Sequence, residues 1–207
     1  MSIKDQILTH KIVAIIRLDH YDQAVAVAQA LLAGGIVAME FTLTGRGALE
    51  AIGAVRQALG DSACVGVGSV LHAEQATAAI DSGAQFVVTP AVRKPVIAAC
   101  VNRGTLVLSG GFTPTELLEA HEAGAELVKL FPAQQGGPRY LKDVLAPLPF
   151  LKLVPTGGVS AENARDYLTA GAAALGIGGN LVAKQAVASG DFAAITAAAR
   201  TCVAAVS

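Results

Sequence analysis

Three ionisable side chains interrupt stretches that otherwise read as buried strands. Arg17 ends IVAIIR, Glu40 sits in VAMEFTL, and Lys129 sits in AELVKLFPA. Packing alone favours Val or Ile at such positions, so each needs a reason. Strand alternation places Leu127, Lys129 and Phe131 on one face. If that face points into a core, burial disfavours an ammonium there, and a neutral amine can attack a carbonyl. If Leu127 and Phe131 instead pack outward under helices, Lys129 only snorkels to solvent; the strand by itself leaves both readings open. A buried carboxylate at Glu40 must find a partner or take up a proton. It is then a structural partner for a lysine, a general acid–base beside an amine, or both. Arg17 is either an exposed strand-end cation or a guanidinium fork for a substrate carboxylate or phosphate.

Two glycine-rich turns come late in the chain. Val154-Pro155-Thr156-Gly157-Gly158-Val159-Ser160 leads into one helical stretch, and Gly176-Ile177-Gly178-Gly179-Asn180 leads into the last. Glycines let backbone N–H groups approach an anion, and helix starts favour negative charge. A single Gly-Gly is ordinarily just a turn, but a pair of such turns on the last two strands points to phosphate binding.

The elements that must carry these residues follow a repeat. A helix-like stretch ends in Gly and an apolar strand follows, at Gly34-Gly35, Gly83, Gly104, Gly124 and Gly171. Glycine in the left-handed conformation ends helices in this way. The step from Gly83 to Gly104 to Gly124 is about 20 residues, the period of repeated βα units. The pattern predicts eight strands, near 12–17, 38–42, 64–68, 86–89, 105–109, 127–131, 152–155 and 174–177. Helices are predicted near 21–33, 47–59, 73–82, 93–102, 114–123, 138–145, 161–170, 181–188 and 192–204, with a short one near 3–9 covering the floor. Thr113-Pro114-Thr115-Glu116 reads as a capping box with Pro at the first helical position, and Ser160 as an N-cap. Eight equal parallel units predict closure into an α/β (β/α)8 (TIM) barrel, whose chemistry lies at the C-terminal strand ends. The whole chain, 1–207, reads as one such domain.

Composition narrows the function classes. The 207 residues are 53% hydrophobic with no Trp and a net charge of −1. No basic block supports nucleic-acid binding. No run reaches the ~18 uninterrupted apolar residues of a membrane helix, and the polar start is unlike a signal peptide, so a cytoplasmic location is expected. Cys64, Cys100 and Cys202 are odd in number and widely spaced, which argues for buried small hydrophobes and against a disulfide framework. His10, His20, His72 and His121 form no ligand pair, so no metal is expected.

At this point several segments carry a resemblance. GGIVAMEFTL, VGVGSVL, GAQFVVTP, LVKLFPA, PTGGVS and GIGGNLV appear in the order and spacing of the bacterial 2-keto-3-deoxy-6-phosphogluconate aldolases, also called 4-hydroxy-2-oxoglutarate aldolases. The chain resembles them over most of its length, and the lysine followed by FPA and then PTGG is the most specific part. The resemblance implies a metal-free, cofactor-free class I aldolase, a homotrimeric (β/α)8 barrel acting on a phosphorylated keto acid and releasing pyruvate. It implies Lys129 as the Schiff-base lysine and Glu40 as the acid–base. Ser69, where the family usually has Thr, and Pro90 would line the pyruvyl pocket. Gly157, Gly158, Gly178 and Gly179 would cradle the phosphate. Many members carry Arg four residues after the glutamate, where this chain has Thr44; Arg46 is out of register, and Arg17 is the better replacement. Asn180 stands where many have Ser. These departures touch substrate identity and leave the lysine chemistry alone. The phosphogluconate and phosphogalactonate substrates differ at C4, and a hydroxyl-bearing Thr156 favours the gluconate type. The other readings are a phosphogalactonate aldolase, a phosphate-binding epimerase or synthase on the same barrel, and a non-catalytic barrel that only binds a metabolite.

Overall fold

The computed structural model describes residues 1–207. Its strands are β1 (Ile12–Ile16), β2 (Ala38–Thr42), β3 (Cys64–Gly68), β4 (Phe86–Val88), β5 (Leu106–Gly111), β6 (Leu127–Leu130), β7 (Leu153–Pro155) and β8 (Leu175–Ile177). Every pairing between them is parallel, in the order β7-β6-β5-β4-β3-β2-β1-β8. A parallel bridge between Thr156 and Gly176, with the Ala173 N–H donating to Leu153 O at 2.8 Å, brings β7 to β8 and completes a nearly closed barrel.

The helices are α1 (Ile3–His10), α2 (Ala24–Ala33), α3 (Ala48–Leu59), α4 (Ala73–Asp81), α5 (Lys94–Asn102), α6 (Pro114–Glu122), α7 (Gly137–Leu145), α8 (Ala164–Thr169), α9 (Lys184–Ser189) and α10 (Phe192–Val206). The caps follow from local chemistry. Thr113 Oγ1 accepts from the Glu116 N–H while Glu116 Oε2 accepts from the Thr113 N–H, the reciprocal pair anticipated at α6. The glycines expected to end helices do so: Gly35, Gly83, Gly104, Gly124 and Gly171 all have φ between 63° and 113°. No helix is long and apolar enough to cross a membrane.

Several boundaries differ from expectation by one to three residues, and three of the differences have a visible cause. Strand β5 runs on to Gly111, because Gly110 and Gly111 stay in register with Lys129 and Leu130 of β6; glycine weakens a strand, yet the neighbouring ladder holds this one. Ser160 is not an N-cap. Its N–H donates to Asn163 Oδ1, Asn163 Nδ2 donates to Gly158 O, and α8 starts only at Ala164, so this polar pair fastens the loop rather than the helix. Helix α2 starts at Ala24 because Tyr21 is drawn inward. Its hydroxyl donates to Thr42 O at 2.8 Å and accepts from the Thr42 N–H at 3.1 Å, tying the end of β1 to β2.

The core has two parts. The larger lies between sheet and helices. The smaller fills the barrel, where Val13, Ala38, Cys64, Phe86, Val88, Leu108, Leu127, Val154 and Ala174 meet Ile7 of α1. These residues, eight on strands and Ala174 just before β8, identify the inward-facing positions. Helix α1 plugs the N-terminal end, with Cys64 Sγ–H donating to Gln6 Oε1 at 3.0 Å. The three cysteines are free and buried, and burial pushes the Cys64 and Cys100 thiols up to about 11.

Candidate active site

Counting two residues up from the inner cluster gives the next inward layer on each strand. From Leu127 the next inward residue is Lys129, from Ala38 it is Glu40, and from Val154 it is Thr156. All three are buried, at 6%, 2% and 5% exposure. The snorkelling alternative for Lys129 is therefore ruled out: its strand-mate Leu127 packs inside the barrel, and Lys129 points the same way. Its Nζ lies 5.2 Å from the centroid of the Phe131 ring, a cation–π distance.

Glu40 and Lys129 form no direct ion pair or hydrogen bond, so the purely structural pair is not what holds them. Burial raises the Glu40 carboxyl above its ordinary 4.5, with the charges of Lys129 and then Arg17 opposing that rise. Glu40 thus sits within electrostatic reach of the amine and the guanidinium, with a gap between them.

The interior opens upward because several inward positions are glycine. A Cβ on Gly110, in register with Lys129, would fall 2.6 Å from the carbonyl oxygens of Thr89 and Pro90. Pro90 therefore packs directly against the β5 backbone beside the lysine strand. A Cβ on Gly176 would run into the Thr156 hydroxyl. Ser69, just past β3, has φ +60°, a left-handed conformation that a non-glycine residue adopts at a cost.

Beside this layer, between the ends of β6, β7, β8 and β1, lies a cavity of about 840 Å³. Arg17, Thr156, Gly157, Gly158, Gly178, Gly179 and Asn180 all line it, as their sequence positions suggested. Lys129 meets it through Phe131, whose ring forms part of the wall. Glu40, Ser69 and Pro90 are not in its lining; they belong to the β2–β4 side of the mouth. Arg46, by contrast, lies in the loop bridged to His20 and does not reach the cavity.

The two glycine turns differ in kind. Gly157 and Gly158 have φ +92° and +75°, so their backbone demands glycine. The Gln134 N–H donates to Gly157 O and the Ala133 N–H to Thr156 O, which clamps that turn. Gly178 and Gly179 have no positive φ. A Cβ on Gly179 would meet nothing within 4 Å, and one on Gly178 only Ile15 at 3.8 Å. Neither strain nor packing explains them, whereas room for a bound group does. The N–H groups of Gly158, Gly179 and Asn180 have no protein acceptor, which leaves a set of donors around one concavity, suited to an oxyanion.

Sequence reasoning missed Phe131, Gln134 and Lys184 as cavity residues. Lys184 Nζ lies 2.7 Å from Asp19 Oδ1 and ties the start of α9 to the loop after β1. Nothing in the residue types flagged these three; their place in the wall comes from how the loops fold over the strand ends.

A family model described as KDPG and KHG aldolase matches residues 3–198. A 2-dehydro-3-deoxy-phosphogluconate aldolase of Treponema pallidum is 38% identical over 189 residues, covering 90% of this chain and 89% of its own. A 2-dehydro-3-deoxy-6-phosphogalactonate aldolase of Escherichia coli is 37% identical over 171 residues, covering 82% and 83%. Among solved structures, the KDPG aldolase of Legionella pneumophila, with pyruvate captured as a covalent carbinolamine intermediate, superposes with a TM-score of 0.87 at 27% identity. That match covers 98% of each chain.

Proposed function

The chain belongs to the KDPG and KHG aldolase family and is a carbon–carbon lyase; from that premise we propose that it cleaves 2-keto-3-deoxy-6-phosphogluconate to pyruvate and glyceraldehyde 3-phosphate through a Schiff base on Lys129. The observation that carries this is Lys129 itself, buried inside the barrel at the catalytic end with the unbonded Glu40 carboxyl across a gap.

In this reading the free amine of Lys129 attacks the C2 ketone, and loss of water from the carbinolamine leaves an iminium. Glu40, directly or through water, takes the proton of the C4 hydroxyl. The C3–C4 bond breaks, its electron pair flows into the iminium, and the aldehyde departs from a lysine-bound enamine. Glu40 returns a proton to C3, and water releases pyruvate and the amine. A carboxyl held above its usual range suits a group that must both accept and return a proton. Arg17 and Ser69 hold the substrate carboxylate, with Pro90 against the pyruvyl group. The Gly157-Gly158 and Gly178-Gly179 turns hold the phosphate with Asn180, and Thr156 faces the C4 hydroxyl. Each contact holds a reacting atom in place and so lowers the entropic part of the barrier.

Thr156 supports the gluconate series, since this hydroxyl-bearing residue is among those that line the cavity. The phosphogalactonate substrate is the second reading, and turnover of the two C4 epimers compared side by side decides between them. The lysine assignment is tested by adding pyruvate and borohydride and measuring the adduct mass on the peptide that contains Lys129. Labelling elsewhere, or none, defeats it, and also separates an aldolase from an epimerase, a synthase or a non-catalytic barrel. The same reading takes the chain as one barrel domain, cytoplasmic and homotrimeric, and sedimentation at working concentration checks the assembly.

A further inference from the structure

What holds the Glu40 side chain in place is not evident from its polar surroundings. No backbone or side-chain group hydrogen-bonds its carboxylate, and only burial and two charges act on it. A glutamate has three rotatable bonds, and one that must accept and then return a proton needs a fixed direction. The constraint comes from the neighbouring strand. Gly68 closes β3, and its Cα pairs with Thr42, two residues beyond Glu40 on β2. A Cβ built on Gly68 would lie 2.6 Å from Glu40 Cγ and closer still to Cδ and Oε1; the three nearest atoms all belong to that one side chain. Glu40 thus leans across β3 and lies on the bare α-carbon of Gly68. The backbone at Gly68 does not itself require glycine, since its φ is not in the left-handed region.

Gly66, one inward position lower on the same strand, meets a different neighbour. A Cβ there would fall 2.5 Å from the Phe86 ring, which is packed in the barrel floor. The two glycines therefore offer equal chemistry and opposite consequences. Filling the Gly66 site collides with a ring packed in the core, whereas filling the Gly68 site first meets the far end of one rotatable side chain.

We infer that Gly68 is a positioning residue for the aldolase reaction: its missing side chain is the seat that directs the Glu40 carboxyl toward the substrate atoms between Glu40 and Lys129. This rests on the reading of Glu40 as the acid–base, and the test keeps the two apart.

The experiment compares Gly68→Ala, Gly66→Ala, Glu40→Ala and Gly68→Ala/Glu40→Ala by steady-state cleavage, pH–rate profile and thermal melting. Gly68→Ala is expected to lower kcat about 10²-fold, the scale of a reacting group displaced by an ångström. KM should change less than threefold, and the acid limb of the kcat profile should shift. Once Glu40 is truncated, the Gly68 change should cost less than twofold, because the group it displaces is gone. Gly66→Ala is expected to lower Tm while keeping kcat. If Gly68→Ala does not fold, the double variant must melt like Glu40→Ala, since truncation empties the contested volume; failure to do so overturns the inference. An unchanged kcat and pH profile in Gly68→Ala, or a loss that persists undiminished in the Glu40→Ala background, also overturns it. Full activity in Glu40→Ala alone defeats the acid–base reading instead.

Discussion

The lower and upper halves of the barrel interior are built on the same strands, two residues apart, and follow opposite rules. In the lower half each strand contributes an apolar side chain, and Ile7 of α1 seals the end. In the upper half the inward residues beside Ile15 include Glu40, Gly68, Gly110, Lys129, Thr156 and Gly176. Two are ionisable groups with no hydrogen-bonded partner, and three are glycines whose absent side chains make way for Glu40, Pro90 and Thr156. Packing has been given up where reactants must enter and kept where nothing enters. The close-packed lower half is what lets a sparse upper half hold a defined geometry: residues two positions above a packed layer inherit its register.

The comparison predicts that upper-half changes cost rate and lower-half changes cost stability. The largest effect is expected from Lys129→Met, which should lower kcat by on the order of 10⁴-fold or more, the scale of losing a nucleophile. Borohydride trapping with pyruvate should vanish in this variant while Tm stays within a few degrees. A folded variant with appreciable turnover would break the comparison at its centre. Glu40→Gln should lower kcat by about 10²- to 10⁴-fold, the usual range for an acid–base group, measured by coupled assay of aldehyde release. In the lower half, Leu108→Ala should cost about 2–5 kcal/mol in denaturant unfolding, as a cavity in a packed core does, with kcat of the folded fraction nearly unchanged. A large loss of rate there would show that the halves are not separable.

The smallest effect sharpens the electrostatic contrast. Burial raises the Glu40 carboxyl, so the folded state prefers the protonated form. The sign follows by linkage: the associated stability is fully present below the unfolded value near 4.5 and is lost as pH rises through the higher folded value. Melting temperature of the wild-type protein should therefore contain a component that declines with pH above 4.5, and Glu40→Gln should lack it. Parallel melting curves for the two proteins across that window would count against the buried, unpartnered carboxyl.

Much of the fold was legible from periodicity. Glycine-terminated helices alternating with apolar strands predicted eight strands, and β2 and β3 were placed to the residue, because each is a short apolar run bounded by turn signals. Boundaries failed where a tertiary partner overrode a local rule. Gly110 and Gly111 stay in β5 because β6 holds them, and Asn163 binds the loop from which Ser160 was expected to cap a helix. Of the site, the charged residues and the glycine turns announced themselves as residue types that a core does not want. Phe131, Gln134 and Lys184 did not, since an aromatic, an amide and a surface lysine are unremarkable in sequence.

Residue order alone determined which side chains were candidates and which strands carried them, because alternation and the βα period are local properties of the chain. It left the direction of the Lys129 strand undecided, since either face of a buried strand can be apolar. Closure of the barrel decided that: it gives the sheet an inside, and Leu127 packing there takes Lys129 with it. It also laid Glu40 over Gly68, a contact between neighbouring strands whose chain positions lie 28 residues apart and which no local pattern specifies.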